Sequence, residues 1–199
     1  VLTGRRRAAR TTVLFVCTGN ICRSPVAERL ARAVLDERGD GDLVVASAGT
    51  HAVVGAGVHP LSAQVLAGLG GSPSGFAARQ LTAPLVAAAD LVLTMTTGQW
   101  RWVVNLDPGA AARSFLLREA ATLLGADTPG ATSSPRTPAD RPGSALAQAL
   151  DAARQVRPVR SPSDVPDPVE GPLDLHVEVG DVIADSLLPV LEALAPARG

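Results

Sequence analysis

The sequence predicts an α/β protein built on a doubly wound parallel sheet, and three observations lead there. Apolar runs of strand length alternate with stretches of helical periodicity along most of the chain. Leu43-Val44-Val45-Ala46 is apolar without polar alternation, as in strands buried on both faces. The run Thr12 to Val16 passes straight into a Gly-containing turn and then into a helix opening on Ser24 and Pro25. Ligands of open parallel sheets bind outside the carboxyl ends of the strands, where this turn falls.

The elements follow in order. Residues 12–16 form the first strand, and 25–38 read as a helix with Val26, Leu30, Ala33 and Val34 on one face. Leu43 to Ala46 is the second strand, followed by a Gly-rich loop. Residues 60–69 make a second helix, 82–88 a short third one, and Leu91 to Met95 the third strand. Residues 97–106 are helical, Ser114 to Leu117 is a short fourth strand, and 118–124 another helix. Leu173 to Leu194 is a long helix whose Leu175, Val179, Val182, Ile183, Leu187 and Val190 make an apolar stripe. Pro189 is expected to kink or interrupt its last turns.

Two regions fall outside this pattern. Residues 1–11, with Gly4-Arg5-Arg6-Arg7, resemble the charged head of a signal peptide, but the apolar run that follows is too short and leads into the turn. They are expected to be a disordered basic tail, and 12–199 a single domain. Residues 126–143 carry repeated Pro, Thr, Ser and Gly with few apolar anchors, and 158–166 return to irregular chain. A mobile insertion is therefore expected at about 126–163, contributing little apolar surface to the core, with a loosely docked helix over 144–156.

Composition narrows the function. With 199 residues, 46% hydrophobic content and a net charge of −1, the chain suits one full core and carries no nucleic-acid footprint. Every one of its 18 basic residues is Arg, as a GC-rich genome produces. No apolar run reaches membrane-spanning length. Both cysteines, Cys17 and Cys22, lie in the one turn, which argues against a disulfide framework and for a reducing cytoplasm.

That turn, Cys17-Thr18-Gly19-Asn20-Ile21-Cys22-Arg23-Ser24-Pro25, has the composition of a phosphate trap with a nucleophile at its base. Backbone N–H groups of Thr18, Gly19, Asn20, Ile21, Cys22 and Arg23 can converge on one anion, with Gly19 tolerating unusual dihedrals. The following helix directs its positive end into the same space. Arg23 adds a rigid, always charged fork for phosphate oxygens. A thiol at Cys17 within such a ring of donors is expected as thiolate. Nucleophile, anion cradle and arginine in one loop imply phosphoryl transfer through cysteine.

On these residues the chain resembles the low-molecular-weight protein tyrosine phosphatases. The likeness continues through Ser47-Ala48-Gly49-Thr50, Ala78-Arg79-Gln80, Asp90 to Met95 and Asp167-Pro168. Val53-Val54-Gly55 and His59-Pro60 look like the bacterial branch. The resemblance implies a four-stranded sheet of order 2-1-3-4 with helices on both faces. It also implies hydrolysis of phosphotyrosine through a phosphocysteine intermediate, with Cys17 as nucleophile, Arg23 clamping the phosphate and Asp167 as general acid and base. Asp164 is the rival acid, without a following Pro. Ser24 can donate its hydroxyl to the sulfur, and Cys22 can capture an oxidised Cys17, a redox-sensitive pair.

The chemistry needs no metal and no organic cofactor, and the three His residues show no ligand spacing; His51 and His59 read as rim or surface residues. By the same likeness the partner is a phosphotyrosine-bearing protein, with a bacterial tyrosine autokinase the first setting to test.

Departures from the family pattern stand beside these matches. Val169 and Glu170 follow Asp167-Pro168 where the family usually has an aromatic residue, and Phe76 occupies a position that is often His. Asn20 and Ser47 must then hold the loop unaided. Arsenate reductases of this fold use further downstream cysteines, which this chain lacks. A protein-arginine phosphatase of the same fold and a non-catalytic phosphoprotein-binding module remain as alternatives; Ile21 favours an aryl leaving group over a guanidinium.

Overall fold

The computed structural model describes residues 10–125, 142–156 and 164–195. Four parallel strands form one sheet in the order β2-β1-β3-β4, with β1 at Thr11–Cys17, β2 at Leu43–Gly49, β3 at Leu91–Thr94 and β4 at Ser114–Leu116. The expected strand order is therefore observed. β1 pairs with β2 from Thr11↔Leu43 to Cys17↔Gly49, and with β3 from Val13↔Leu91 to Val16↔Thr94. It is a central strand, which accounts for its apolar sequence.

The period of two along β1 divides the core. Val13, Phe15 and Cys17 face the cluster that includes Val26 and Leu30 of α1 (Arg23–Glu37), Leu117, Ala120 and Leu123 of α5 (Leu117–Gly125), and the stripe of α7 (Leu173–Leu194). Leu14 and Val16 face the other cluster, with Val86 of α3 (Ala83–Ala87) and Val103 of α4 (Thr97–Leu106). The cysteine at the end of β1 is thus turned toward α1, the helix that its own loop starts. α2 (Pro60–Gly68) packs alongside α1 and α7.

Three features differ from the sequence reading. The stretch expected to dock loosely is a helix, α6 (Pro142–Val156), and its Leu146, Ala147 and Leu150 are buried in the main cluster beside β1. Ala and Leu at helical spacing gave this segment an apolar face that its Pro-rich flanks obscured. The remainder of the expected insertion, 126–141 and 157–163, and most of the expected tail, 1–9, lie outside the described residues. Helix α7 runs through Pro189 to Leu194 without interruption, with Leu187, Val190 and Leu191 buried on either side of the proline. A 3-10 turn at Pro108–Arg113, opened by the Asp107 side chain accepting from the Gly109 N–H, was not expected.

Candidate active site

The loop after β1 is held from outside by its carbonyls. Those of Cys17, Thr18, Gly19 and Ile21 accept from the N–H groups of Thr50, His51, Val53 and His59 at 2.8–3.0 Å. No peptide among the described residues is cis, so each outward carbonyl sends the next N–H to the opposite side. The amides of Thr18, Gly19, Asn20 and Cys22 therefore face the interior of the loop. Helix α1 begins at Arg23, with Cys22 as an N-cap whose side chain does not bond the helix amides, so the first-turn amides stay available to an anion.

Asn20, fully buried, organises the loop. It is the one non-glycine residue with positive φ among the described residues, at 54°, a conformation Asn tolerates. The unusual dihedral expected at Gly19 falls at Asn20 instead. Both amide hydrogens of Asn20 are used, on the hydroxyls of Ser24 and Ser47 at 2.8 Å each, and its carbonyl oxygen accepts from the Arg79 N–H at 2.9 Å. Ser47 in turn donates to Glu28 at 2.7 Å. Phe76 takes no part in this network and lies under the Arg29 guanidinium.

Ser24 also stands 3.0 Å from the sulfur of the buried Cys17. Because the Ser24 oxygen already accepts from Asn20, its own hydrogen is free to point at sulfur. Gly49, the residue paired with Cys17 across the sheet, lies against the loop from behind. A Cβ there would come within 2.4 Å of the Thr18 carbonyl oxygen and 3.0 Å of the Asn20 backbone nitrogen. The sequence offered Gly49 only as part of a motif; its reason is this close approach of two backbones. Gln99 of α4 was not anticipated. Its carbonyl oxygen accepts from the Met95 and Thr96 N–H groups, and its amide donates to the Thr18 hydroxyl at 3.1 Å.

Arg23 is buried, its Nη1 donating to the Val165 carbonyl at 3.2 Å and its Nη2 paired with Asp167. Its Nε–H has no partner among the described residues. The loop carrying Asp167 is anchored just before it: Val165 is buried and its N–H donates to the Met95 carbonyl at 2.8 Å. Asp164 is turned elsewhere, accepting from the backbone N–H and hydroxyl of Thr97 at the start of α4. Of the two candidate acids, Asp167 meets the arginine of the loop and Asp164 braces a helix.

Exposed apolar side chains ring the loop. Val53 follows the Gly19 carbonyl, Val169 follows Asp167, and the half-exposed Trp102 of α4 meets the His51 ring edge-on at 4.6 Å. His51 is exposed, as expected of a rim residue. His59 is half-buried, and the fold brings it against Cys22 and the buried His176, a grouping that the spacing of these residues in the chain did not reveal. Burial pushes the Cys22 thiol up to about 11, against the opposing hydrogen bond from Ser62.

A cysteine loop at the carboxyl end of the central strand, with arginine at the first turn of the next helix, defines a phosphatase architecture. The family described as low molecular weight phosphotyrosine protein phosphatase matches residues 12–125, and the chain belongs to it. Over 105 residues the chain is 38% identical to the low molecular weight protein-tyrosine-phosphatase Etp of Escherichia coli (strain K12), spanning 53% of this chain and 68% of that one. Over 83 residues it is 46% identical to the low molecular weight protein-tyrosine-phosphatase Wzb of Salmonella typhi, spanning 42% and 52% of the two chains. A crystal structure of the low molecular weight protein tyrosine phosphatase from T. tengcongensis superposes with a TM-score of 0.67 at 26% identity, covering 92% of this chain and 98% of that one. Among the described residues no helix is long and apolar enough to cross a membrane.

Proposed function

We propose that this chain hydrolyses phosphotyrosine in two in-line steps through a phosphocysteine, with Cys17, Arg23, Ser24 and Asp167 as the catalytic residues. The Cys17 sulfur attacks phosphorus while Asp167 donates a proton to the departing tyrosyl oxygen, which leaves poorly as an anion. Asp167, then a carboxylate, takes a proton from the water that attacks the phosphocysteine, and the sulfur departs. The Ser24 hydroxyl stabilises the sulfur in both steps. The amides of Thr18 to Arg23 and the Arg23 guanidinium hold the equatorial oxygens and match the charge of the transition state.

The observation that carries this reading is the convergence of the Cys17 sulfur, the Ser24 hydroxyl and the inward loop amides with a buried Arg23 whose Nε–H is unpartnered. Asp167 pairs with that guanidinium and its side chain is 44% exposed, so it can leave the arginine to a phosphate without unfolding its loop. The apolar rim of Val53, Val169 and Trp102 suits an aryl group.

The partner we infer is a phosphotyrosine-bearing protein in a bacterial cytoplasm, with a tyrosine autokinase the first to test. An assay comparing phosphotyrosine, phosphoserine and phosphoarginine peptides decides it. Release of phosphate from phosphotyrosine peptide above the other two is expected. Preference for phosphoarginine would instead favour the guanidinium-directed alternative, and no turnover a binding module.

A further inference from the structure

Cys22, His59 and His176 come from the loop, the residue before α2 and the first turn of α7, and the fold gathers them into one cluster. The Cys22 sulfur and one nitrogen of each imidazole lie within 4.8 Å of one another. The two rings are stacked, 4.9 Å apart and 12° from parallel. Nδ1 of His59 and Nε2 of His176 are buried, and neither makes a well-formed hydrogen bond among the described residues. The Pro168 carbonyl, which accepts from the Gly171 N–H, also interacts with the His176 ring as an acceptor.

A buried ring nitrogen without a well-formed hydrogen bond is costly, since it forfeits its hydration for little return. Packing alone would favour apolar side chains here. The orientation of His176 is fixed by its other nitrogen, Nδ1, which shares a hydrogen bond of 2.9 Å with the Ser62 hydroxyl. A hydrogen bond on one ring nitrogen is how ligating histidines are commonly held.

We propose that Cys22, His59 and His176 form a three-ligand site for a thiophilic divalent cation of the zinc class, set against the phosphate loop. One thiolate and two imidazoles suit a borderline-soft cation that accepts tetrahedral geometry, with water in the fourth position. Around such an ion the ligand atoms sit about 3.3–3.6 Å apart, so the cluster closes by small side-chain rotations. The Cys22 thiol loses its proton to solvent as the sulfur–metal bond forms. The cation ties the loop to the starts of α2 and α7.

The full-length, untagged Cys17→Ser protein tests the site independently of any catalytic role for Cys17. Cys22 is then the only thiol in the chain. Co2+ added under a phosphine reductant should bind at one equivalent, with tetrahedral d–d bands and a thiolate-to-cobalt charge-transfer band, and Zn2+ should displace it. Even the loss of a group that merely orients a ligand weakens metal binding about 10- to 100-fold. His176→Ala and, separately, the less buried His59→Ala should each weaken Zn2+ binding by about 100-fold or more, with folding checked by circular dichroism. Absence of the charge-transfer band in Cys17→Ser, or unchanged Zn2+ affinity in a folded His59→Ala or His176→Ala protein, overturns the proposal.

Discussion

The hydroxyl of Ser24 lies 3.0 Å from the sulfur of Cys17 and is oriented by Asn20, whose amide donates to it at 2.8 Å. Sulfur therefore receives a hydrogen bond of fixed direction between two buried side chains. Hydrogen bonds to charged groups are worth about 1.5–3 kcal/mol. Ser24→Ala should accordingly lower kcat by about 10- to 100-fold with a small change in KM, measured on an aryl phosphate at steady state. An equal loss confined to KM would mean that Ser24 serves binding alone.

Asp167 and Asp164 are separated by what they contact. Asp167→Asn should slow hydrolysis by about 100-fold or more when the leaving phenol is weakly acidic, and far less when it is strongly acidic. Asp164→Asn removes a negative charge from the start of α4 while keeping an acceptor oxygen, and should lower stability by about 0.3–1 kcal/mol without that dependence. A series of substituted phenyl phosphates checks both, and a leaving-group dependence appearing in Asp164→Asn would reverse the assignment.

Gly49→Ala places a methyl group against the Thr18 carbonyl and the Asn20 backbone, neither of which is a flexible side-chain end. Such overpacking costs about 1–3 kcal/mol, and here the strain enters the loop itself. Phosphate affinity and thermal stability should fall together, read by competitive inhibition and calorimetry.

Trp102 offers the aromatic surface that Val169 does not. Removing one aromatic contact costs about 0.5–1.5 kcal/mol. Trp102→Ala should raise KM for phosphotyrosine peptide by about 2- to 12-fold and leave kcat nearly unchanged. An unaltered KM would exclude the ring from the substrate's path.

Leu150 of α6 is fully buried, so Leu150→Ala should destabilise the protein by about 2–5 kcal/mol in denaturant unfolding. Deleting 128–157 should for the same reason reduce soluble protein.

The parts of this molecule governed by local chemistry were legible in the chain. The run Thr12 to Val16 announced a strand, and Cys17, Arg23 and Ser24 announced their loop, because strand, turn and helix lie in sequence there. The strand order came from resemblance, since pairing between distant strands leaves no local trace. Gly49 and Gln99 were missed as loop supports because their roles depend on what lies across the sheet. The cluster of Cys22, His59 and His176 was missed for a similar reason: metal-ligand patterns are read from short spacings, and these residues meet only through the packing of α2 and α7. For α6, Pro-rich flanks outweighed an apolar face that the folded core uses.

The proposed catalysis rests on covalent transfer to Cys17, and rapid acid quench during turnover of an aryl phosphate observes it most directly. Intact-mass and peptide analysis of the Asp167→Ala protein, with a strongly acidic phenol as leaving group so that water attack is the slowed step, should find one phosphate per chain, on the sulfur of Cys17, formed with a stoichiometric burst of phenol. A burst without protein-bound phosphate, or a phosphate on any other residue, would contradict it.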